Sequence, residues 1–505
     1  MVDVSVITGA IADVLTVTNL LYILAGVTIG QLIGATPGLS IVMALAIAIP
    51  LTYVLDTLTA LAFLISVNKG GTVGGAVPAI LLRVPGTPES AATTLDGYPM
   101  AQKGQPIKAM KYGLYYSVFG DLSSDLILIL VSAPLAIIAL RMGPIEILAL
   151  MTLALTVISA LVGSSMVKGL TAAALGFLLA SVGSDPGTGT PRFTFGIIEL
   201  YDGISLTALS IGMLAMSEVM FSIIAARRDA APTAALDIRA GSREDRTVTF
   251  RELMANKYVA IRAMLIGTAI GAIPGLGSTT AGFLSYSITK QMARDPGAFG
   301  TGDPRGIAAS ETANSAVVGA NLIPLLTLGI PGNIAAALIV SAFLVHGLQP
   351  GPLLFENQAQ LVYGMFFAML IANFFNLAVG QVGMRFWAYI VSAPASIIYP
   401  GAVLFCMTGS YAAAGGFFGI YVMIATALLG YLMRSLGYSI VAFIVAFFLE
   451  PMLERSFVQT QLLIGSDYWL LLHHPIAIAL WGMTLVTIFY LCFVKRPSAE
   501  GATYV

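Results

Sequence analysis

The chain has 505 residues, of which 58% are hydrophobic and only 10% are charged, and its formal net charge is −1. Its mean hydropathy is +0.91. This composition indicates an all-α polytopic membrane protein. The balanced charge and the lack of a basic aromatic patch exclude nucleic acid as a partner. Its two cysteines, Cys406 and Cys492, lie in apolar runs and form neither a disulfide framework nor a metal site.

The first half, residues 1–226, is a series of apolar segments with one polar interruption. Residues 1–18 carry Asp3 and Asp13 but neither lysine nor arginine, which places the N-terminus on the periplasmic side. A candidate re-entrant hairpin covers about 72–95, because its tip holds two prolines, a glycine and polar side chains that a lipid-facing helix would not tolerate. The apolar spans of this half are predicted near 19–36, 39–54, 57–71, 113–140, 144–163, 166–182 and 204–226.

A polar linker at 227–257 separates the two halves, and its six arginines mark it as cytoplasmic. The second half, residues 258–450, contains another candidate hairpin at about 321–346. Residues 451–505 add a C-terminal span and a tail, and Lys495-Arg496 places the C-terminus in the cytoplasm. The spans of this part are predicted near 258–274, 276–290, 305–320, 358–380, 386–411, 413–433, 437–450 and 475–494.

Two sets of helix breaks recur in the same order in both halves. Gly34–Ser40 reads Gly-Ala-Thr-Pro-Gly-Leu-Ser, and Gly271–Gly277 reads Gly-Ala-Ile-Pro-Gly-Leu-Gly. In each half there follow two prolines seven positions apart, with an asparagine ten positions before the first of them. Such paired Gly/Pro-interrupted apolar segments are the best sequence pointer to a transporter binding site. These residues are Asn68, Pro78 and Pro85 in the first half and Asn314, Pro324 and Pro331 in the second.

The distribution of basic residues predicts how the halves are oriented. Seven spans carry the chain from the periplasmic N-terminus to the cytoplasmic linker, and an odd number inverts the second half relative to the first. This orientation places Arg434, at the end of a span in the second half, on the cytoplasmic side. We therefore expect two inverted repeats, each with broken helices and a re-entrant hairpin. Inverted repeats of this kind favour a scaffold and a transport unit that moves against it, an elevator-like arrangement.

The motifs also resemble those of a known family. The residues that carry the resemblance are Gly34–Ser40, Ala79–Pro88, Asp96–Met100, Gly271–Gly277 and Gly329–Gly332. At these positions, and over nearly its whole length, the chain is similar to the large membrane subunit of the tripartite tricarboxylate transporters. The runs Leu-Leu-x-x-Pro-Gly-Thr-Pro and Asp-Gly-Tyr-Pro-Met are the specific part of this resemblance.

The resemblance implies a function and a set of partners. It implies import of a carboxylate across the bacterial inner membrane, driven by a sodium or proton gradient. It also implies a small four-span membrane subunit and a periplasmic solute-binding protein as partners. The chain departs from the family's usual pattern at Asn68-Lys69, Arg83 and Glu89.

The hairpins are the predicted substrate site. A carboxylate in a low-dielectric pocket needs hydrogen-bond donors, and helix N-termini beside glycines and prolines supply them. Lys69 is predicted either to pair with the carboxylate or to reach the cytoplasmic interface. The predicted substrate-binding residues are Asn68, Lys69, Pro85, Gly86, Thr87, Ser90, Asn314, Gly329, Pro331, Gly332 and Asn333.

The coupling ion requires a different set of groups. A sodium ion takes oxygen ligands, such as carbonyls freed at helix breaks and hydroxyl or amide side chains. Carboxylates within a membrane span are functional candidates by default, although Glu89 could instead cap a helix start. Sodium is the expected ion and a proton is the alternative; no cofactor is expected. The predicted ion-coupling residues are Gly38, Ser40, Asn68, Glu89, Gly275, Ser278, Thr279, Glu311, Thr312 and Asn314.

Three functions remain open at this point. The leading hypothesis is a gradient-driven, binding-protein-dependent carboxylate importer that works by alternating access. The alternative is a stand-alone ion-coupled carrier of organic anions that needs no binding protein. An intramembrane enzyme is a distant third, since the sequence has no His-Glu-x-x-His motif and no serine paired with a buried histidine. We therefore expect the chain not to be an enzyme.

Overall fold

A computed structural model describes residues 4–36, 39–161, 166–185, 188–228, 242, 244–275, 277–390, 395–465 and 467–489. Within these residues the fold is helical except for one short antiparallel pair, β1 (Gly183–Ser184) and β2 (Pro191–Arg192). The prediction of an all-α polytopic membrane protein is confirmed. By length and composition, the described helices able to cross a membrane are Val17–Gly34, Thr57–Leu82, Pro106–Ala139, Ala359–Met384 and Phe417–Ser435.

The first half and the linker supply twelve of the described helices. A π-helical segment at Ile211–Met216 connects α10 to α11, and a 3-10 turn at Pro88–Thr93 precedes α6. The helices are α1 (Val4–Val14), α2 (Val17–Gly34), α3 (Ile41–Ala48), α4 (Thr57–Gly74), α5 (Ala76–Leu82), α6 (Thr94–Gln102), α7 (Pro106–Ala139), α8 (Pro144–Leu161), α9 (Met166–Ala180), α10 (Leu206–Ser210), α11 (Ser217–Arg228) and α12 (Phe250–Ala255).

The second half repeats this order of elements, from a broken helix pair to a long helix and three further helices. A last helix, α23, follows them. The helices are α13 (Lys257–Gly271), α14 (Gly277–Met292), α15 (Pro304–Ala320), α16 (Leu322–Leu328), α17 (Ile334–Val345), α18 (Leu353–Asn357), α19 (Ala359–Ile390), α20 (Ala395–Ala413), α21 (Phe417–Ser435), α22 (Ile440–Ile464) and α23 (Pro475–Phe489).

Helix packing follows the same repeat. Helix α2 packs on α4, and its counterpart α13 packs on α15. The contacts between the halves are reciprocal. Helix α7 of the first half packs on α15 of the second, and α19 of the second half packs on α4 of the first. In the same way, α9 packs on α22, and α21 packs on the π-helical segment. Two-fold related halves would exchange their contacts in this way. Their inverted orientation in the membrane, and the domain boundaries, stay predictions.

Glycines allow two corresponding helix pairs, α2 with α4 and α13 with α15, to pack closely. A Cβ atom at Gly30 of α2 would lie 2.2 Å from the carbonyl oxygen of Val67 in α4. A Cβ atom at Gly267 of α13 would lie 2.3 Å from the carbonyl oxygen of Ala313 in α15. Small residues let membrane helices approach until their backbones touch. The repeat therefore reappears in the contacts as well as in the sequence.

The Asp-Gly-Tyr-Pro-Met motif connects the two halves. The buried Asp96 carboxylate accepts hydrogen bonds from the backbone amides of Gly300, Gly302 and Asp303 at 2.8 to 2.9 Å. It also accepts one from the Tyr286 hydroxyl, at 2.8 Å. A buried charge with four donors is well satisfied, and its removal would leave those donors unpaired. Asp96 thus fixes α6 against the loop that precedes α15.

Candidate functional site

In each half, the break between two helices meets the tip of a later turn. The amide of Gly86 donates to the carbonyl of Gly75 at 3.2 Å, and a Cβ atom at Gly86 would lie 2.2 Å from the carbonyl oxygen of Gly34. In the second half, the amide of Gly275 donates to the carbonyl of Gly332 at 2.8 Å. These backbone approaches require residues without side chains. Among the described residues, the Pro-Gly motifs that end at Gly86, Gly275 and Gly332 are therefore contact points of breaks and tips.

The two turns also share their starting conformation. Helix α5 ends at Arg83 with φ 60°, and α16 ends at Gly329 with φ 74°. These are corresponding positions, five residues after Pro78 and Pro324. Left-handed caps usually carry glycine, and another residue there costs about 1 kcal/mol. The Arg83 guanidinium lies 5.9 Å from the centre of the Tyr98 ring, a contact outside the cavity described next.

A cavity of about 410 Å³ lies beside these junctions, and four helices begin at its wall. The N-terminal residues that line it belong to α3, α14, α17 and α22. Each helix N-terminus has unpaired amide groups and the positive end of the helix dipole. The residues concerned are Ser40, Ile41 and Val42; Gly277, Ser278 and Thr279; Asn333, Ile334 and Ala335; and Ser439, Ile440 and Val441.

Three of these helices carry a side-chain cap. Ser40 Oγ accepts from the amide of Met43 at 3.2 Å, and Asn333 Oδ1 accepts from the amide of Ala336 at 2.8 Å. Ser439 caps α22 in the same way. A cap satisfies one of the four free amides of a helix start. The N-termini therefore keep donors for an anion.

Ionic groups lie on the opposite wall. Arg434 of α21 forms an ion pair with Glu218 of α11, and its guanidinium lies 4.5 Å from the centre of the Phe221 ring. Among the described residues that line the cavity, Arg434 is the single cation, and Glu89 and Glu218 are the carboxylates. Sequence reasoning placed Arg434 at the cytoplasmic end of a span but did not connect it with a site. No local signal could have done so, because its partner lies 216 residues away.

Seven of the predicted residues line this cavity together. Asn68 does so with Thr72, one helical turn further along α4. Asn314, its counterpart, lies one turn before the lining residue Val318 and is 1% exposed. Neither its Nδ2 nor its Oδ1 has a hydrogen-bond partner among the residues that the structure describes. The predicted residues at the cavity wall are Ser40, Asn68, Glu89, Gly275, Ser278, Thr279 and Asn333.

The remaining tip residues support the wall without forming it. The Thr87 and Ser90 hydroxyls pack against Gly75, where an added Cβ atom would lie 2.7 Å from each oxygen. Gly38 lies outside the described residues. The predicted residues of the tips that do not line the cavity are Pro85, Gly86, Thr87, Ser90, Gly329, Pro331 and Gly332.

Glu311 and Thr312 lie at the contact between α15 and α7. The fully buried Glu311 carboxylate accepts from the Ser117 hydroxyl at 2.7 Å and from the Thr93 hydroxyl. Thr312 donates to the carbonyl of Tyr116 at 3.2 Å. Neither residue lines the cavity. If Glu311 and Thr312 take part in ion coupling as predicted, they affect the cavity only through the packing of α15 on α7.

Lys69 points away from the cavity although its neighbour Asn68 lines it. The Lys69 ammonium is fully buried and donates to Asp121 and Asp125 of α7, both at 2.7 Å. A charged lysine inside a membrane protein needs such partners. The alternative sequence reading, in which Lys69 reaches the cytoplasmic interface, does not match this position.

Apolar helices of membrane-spanning length, two corresponding sets of broken helices and a cavity where four helices begin define a helical membrane transporter. Comparison with known proteins specifies the class further. The chain matches the tripartite tricarboxylate transporter TctA family over residues 20–445. It belongs to this family, and the predicted resemblance is confirmed.

Two relatives come from Agrobacterium vitis. The chain is 31% identical over 492 residues to the "uncharacterized 52.8 kDa protein in TAR-I ttuC' 3'region", covering 97% of this chain and 96% of the relative. It is 33% identical over 239 residues to the "uncharacterized protein in TAR-II ttuC' 3'region", covering 47% of this chain and 99% of that protein. No solved structure matches the chain.

Proposed function

We propose that this protein is the large subunit of a binding-protein-dependent importer that moves a di- or tricarboxylate, or a related organic acid, across the bacterial inner membrane. A sodium or proton gradient drives uptake, and the cavity at the four helix starts is the substrate site. A small four-span membrane subunit and a periplasmic solute-binding protein complete the system. The family supports the class of transporter, and the cavity supports the class of substrate.

The observation that carries the proposal is the meeting of four helix N-termini and one arginine at one cavity. Each helix start acts as roughly +0.5 of an elementary charge, and free amides at such a start bind carboxylates. A volume of about 410 Å³ holds a small organic acid, since ligand pockets begin at about 300 Å³. Arg434 offers a bidentate partner to a carboxylate once Glu218 is displaced.

Two groups of helices line the cavity and pack on each other beside it, through α3 on the π-helical segment and α17 on α22, an arrangement that supports alternating access. One wall comes from the breaks and tips, through α3, α4, α14 and α17, and the other from α11, α21, α22 and the π-helical segment. Single π-helical turns occur often at functional sites. In the proposed mechanism the breaks and tips move as a transport unit against the second group. Because the sequence places Arg434 at the cytoplasmic side, the cavity represents an inward-open state.

Ion coupling is proposed to use the same junctions. Ser278 and Thr279 offer hydroxyl oxygens beside the break at Gly275, and Asn68 offers an amide oxygen opposite them. Oxygen ligands of this type suit sodium. Among the residues predicted from the sequence, Glu89 at the cavity wall and Glu311 at the contact between α15 and α7 are the carboxylates that could carry a proton instead.

The proposal is tested by reconstitution. The chain and its small subunit are placed in liposomes, and uptake of radiolabelled succinate, malate and citrate is measured with and without the solute-binding protein. Each assay is run under a sodium gradient, a proton gradient or neither, with liposomes that hold the small subunit alone as the control. We expect accumulation only with the binding protein and one of the gradients. Accumulation without the binding protein would instead establish a stand-alone carrier.

A further inference from the structure

A second polar cluster lies inside the helix bundle, away from the cavity. Lys69 of α4 donates to both Asp121 Oδ1 and Asp125 Oδ2 of α7 at 2.7 Å. Asn373 of α19 donates from Nδ2 to the same Asp125 Oδ2 at 2.6 Å. Asn376, three residues after Asn373 on the same face of α19, donates to the backbone carbonyl of Lys69 at 3.1 Å. The four polar side chains Lys69, Asp121, Asp125 and Asn373 are between 0% and 2% exposed.

The cluster does not balance its charges when both carboxyl groups are ionised. One ammonium then faces two carboxylates, which leaves a net charge of −1 in a site closed to water. An uncompensated charge in a low-dielectric interior costs several kcal/mol, so such groups are neutralised by pairing or by protonation. Only one further positive charge is needed to neutralise this cluster.

Two unpaired oxygens indicate where that charge binds. Asp125 Oδ1 and Asn373 Oδ1 are both buried and have no hydrogen-bond partner among the described residues, although the two side chains are already joined through Asn373 Nδ2 and Asp125 Oδ2. Both unpaired atoms are acceptors, so neither can satisfy the other unless a proton lies between them. A carboxylic acid and a primary amide pair through two such parallel hydrogen bonds.

We propose that Lys69, Asp121, Asp125 and Asn373 form a proton-binding site. The proton is bound to Asp125 Oδ1, and the resulting hydroxyl donates a hydrogen bond to Asn373 Oδ1. The protonated site is neutral and has both orphan oxygens satisfied. Loss of the proton leaves a charge of −1 and two unpaired acceptors. The site thus has two states that differ strongly in stability.

The surroundings favour a proton over a sodium ion. Asp125 Oδ1 abuts α15 at Gly319, where an added Cβ atom would lie 2.6 Å from this oxygen. A bound proton needs only the oxygen that carries it and one acceptor oxygen, whereas a sodium ion is coordinated by several oxygens. The two carboxylate oxygens that accept from Lys69, Asp121 Oδ1 and Asp125 Oδ2, are already shared with its ammonium group.

The charged groups around the site are few. On the helices packed on α7, those nearest to Asp125 are Lys69 of α4 and Glu311 of α15; Glu311 contacts α7 at Ser117, two helical turns before Asp125. The second half has Ser315 where the first has Lys69, counted from the repeated prolines. The cluster therefore occurs once, not twice.

The position of the site connects it to transport, and this step rests on the proposed function. Lys69 directly follows Asn68, which lines the cavity, and α4 continues through α5 to the first tip. Protonation of Asp125 weakens its attraction for Lys69 and so changes how α4 is held against α7. We therefore expect the proton to be the coupling ion.

Infrared spectroscopy tests the site without any transport assay. The full chain is reconstituted in liposomes at neutral pH, and the carbonyl stretch of protonated carboxylic acids is compared between wild type and Asp125→Asn. We expect a band in the wild type that is absent from Asp125→Asn, because asparagine has no carboxylic acid. Asparagine resembles the neutral acid in shape, so the fold should be kept. Asn373→Leu should keep this band but shift it, because the acid loses its acceptor. Glu311→Gln is the matched control and should leave the Asp125 band in place.

Other outcomes would overturn the proposal. An unchanged band in Asp125→Asn would show that Asp125 is ionised. Loss of the wild-type band when sodium is added at constant pH would show that sodium occupies the site.

In transport, Asp125→Asn should lose proton-driven accumulation while it keeps exchange of substrate across the membrane. A wild-type protein that shows the band but transports no carboxylate would contradict the proposed function and leave the proton site standing.

Discussion

Uptake should fall roughly tenfold to a hundredfold when Asn68 or Asn314 is replaced by alanine. Asn68 lines the cavity at the level of the helix breaks, and Asn314 is its counterpart one turn from the lining residue Val318. A hydrogen bond to a charged ligand contributes about 1.5–3 kcal/mol, which corresponds to that loss. The buried Asn314 amide has no hydrogen-bond partner in the part of the chain that the structure describes, as expected of a group kept for a ligand or ion.

The measurement is the initial rate of carboxylate uptake by the reconstituted system, normalised to the amount of inserted protein. Asn357→Ala is the matched control, because Asn357 is exposed at the end of α18 and does not line the cavity. It should retain wild-type uptake. Full activity of both Asn68→Ala and Asn314→Ala would contradict the assignment of the site.

Opposite effects are expected from the two members of the ion pair at the cavity. Arg434→Gln removes the only cation among the described lining residues and should weaken carboxylate binding by about tenfold. The expected loss of affinity is smaller than for a buried charge pair, because Arg434 is more than one-third exposed and its charge is screened by solvent. Glu218→Gln removes the competing carboxylate and should strengthen substrate binding.

Binding is measured as the substrate concentration that gives half-maximal uptake, at low and at high salt. The effect of Arg434→Gln should shrink at high salt, because partly exposed charges are screened. Arg294→Gln is the control, since Arg294 is exposed and does not line the cavity. Equal substrate affinity in Arg434→Gln and wild type would show that the helix starts alone bind the carboxylate.

The helix breaks could be predicted from the sequence because their glycines and prolines have one physical use. Gly34 and Gly86 meet backbone to backbone, as Gly275 and Gly332 do, and no other residue fits at these contacts. The spacing of the motifs therefore predicted the repeat and seven of the residues that line the cavity. The family resemblance rested on the same residues and was confirmed.

Long-range polar partners could not be predicted in this way. Lys69 was a candidate substrate contact, yet its ammonium binds Asp121 and Asp125, and the direction of its side chain depends on how α4 packs on α7. Arg434 was placed only by membrane side, and its position at the cavity depends on Glu218 from a distant helix. Helical periodicity fixes which face a residue occupies but not which helix covers that face.

Cysteine accessibility would test most directly whether the cavity binds substrate and opens to the cytoplasm. Ser278→Cys places a thiol at the cavity wall, and Ser435→Cys places one on the exposed end of α21 outside it, both in a chain whose native Cys406 and Cys492 are replaced by alanine. A membrane-impermeant maleimide is applied to inside-out and right-side-out vesicles. We predict that both thiols are labelled from the cytoplasmic side and that a transported carboxylate protects only the thiol at position 278. Labelling at position 278 that no transported carboxylate slows, or that occurs on neither side, would contradict the cavity as the substrate site.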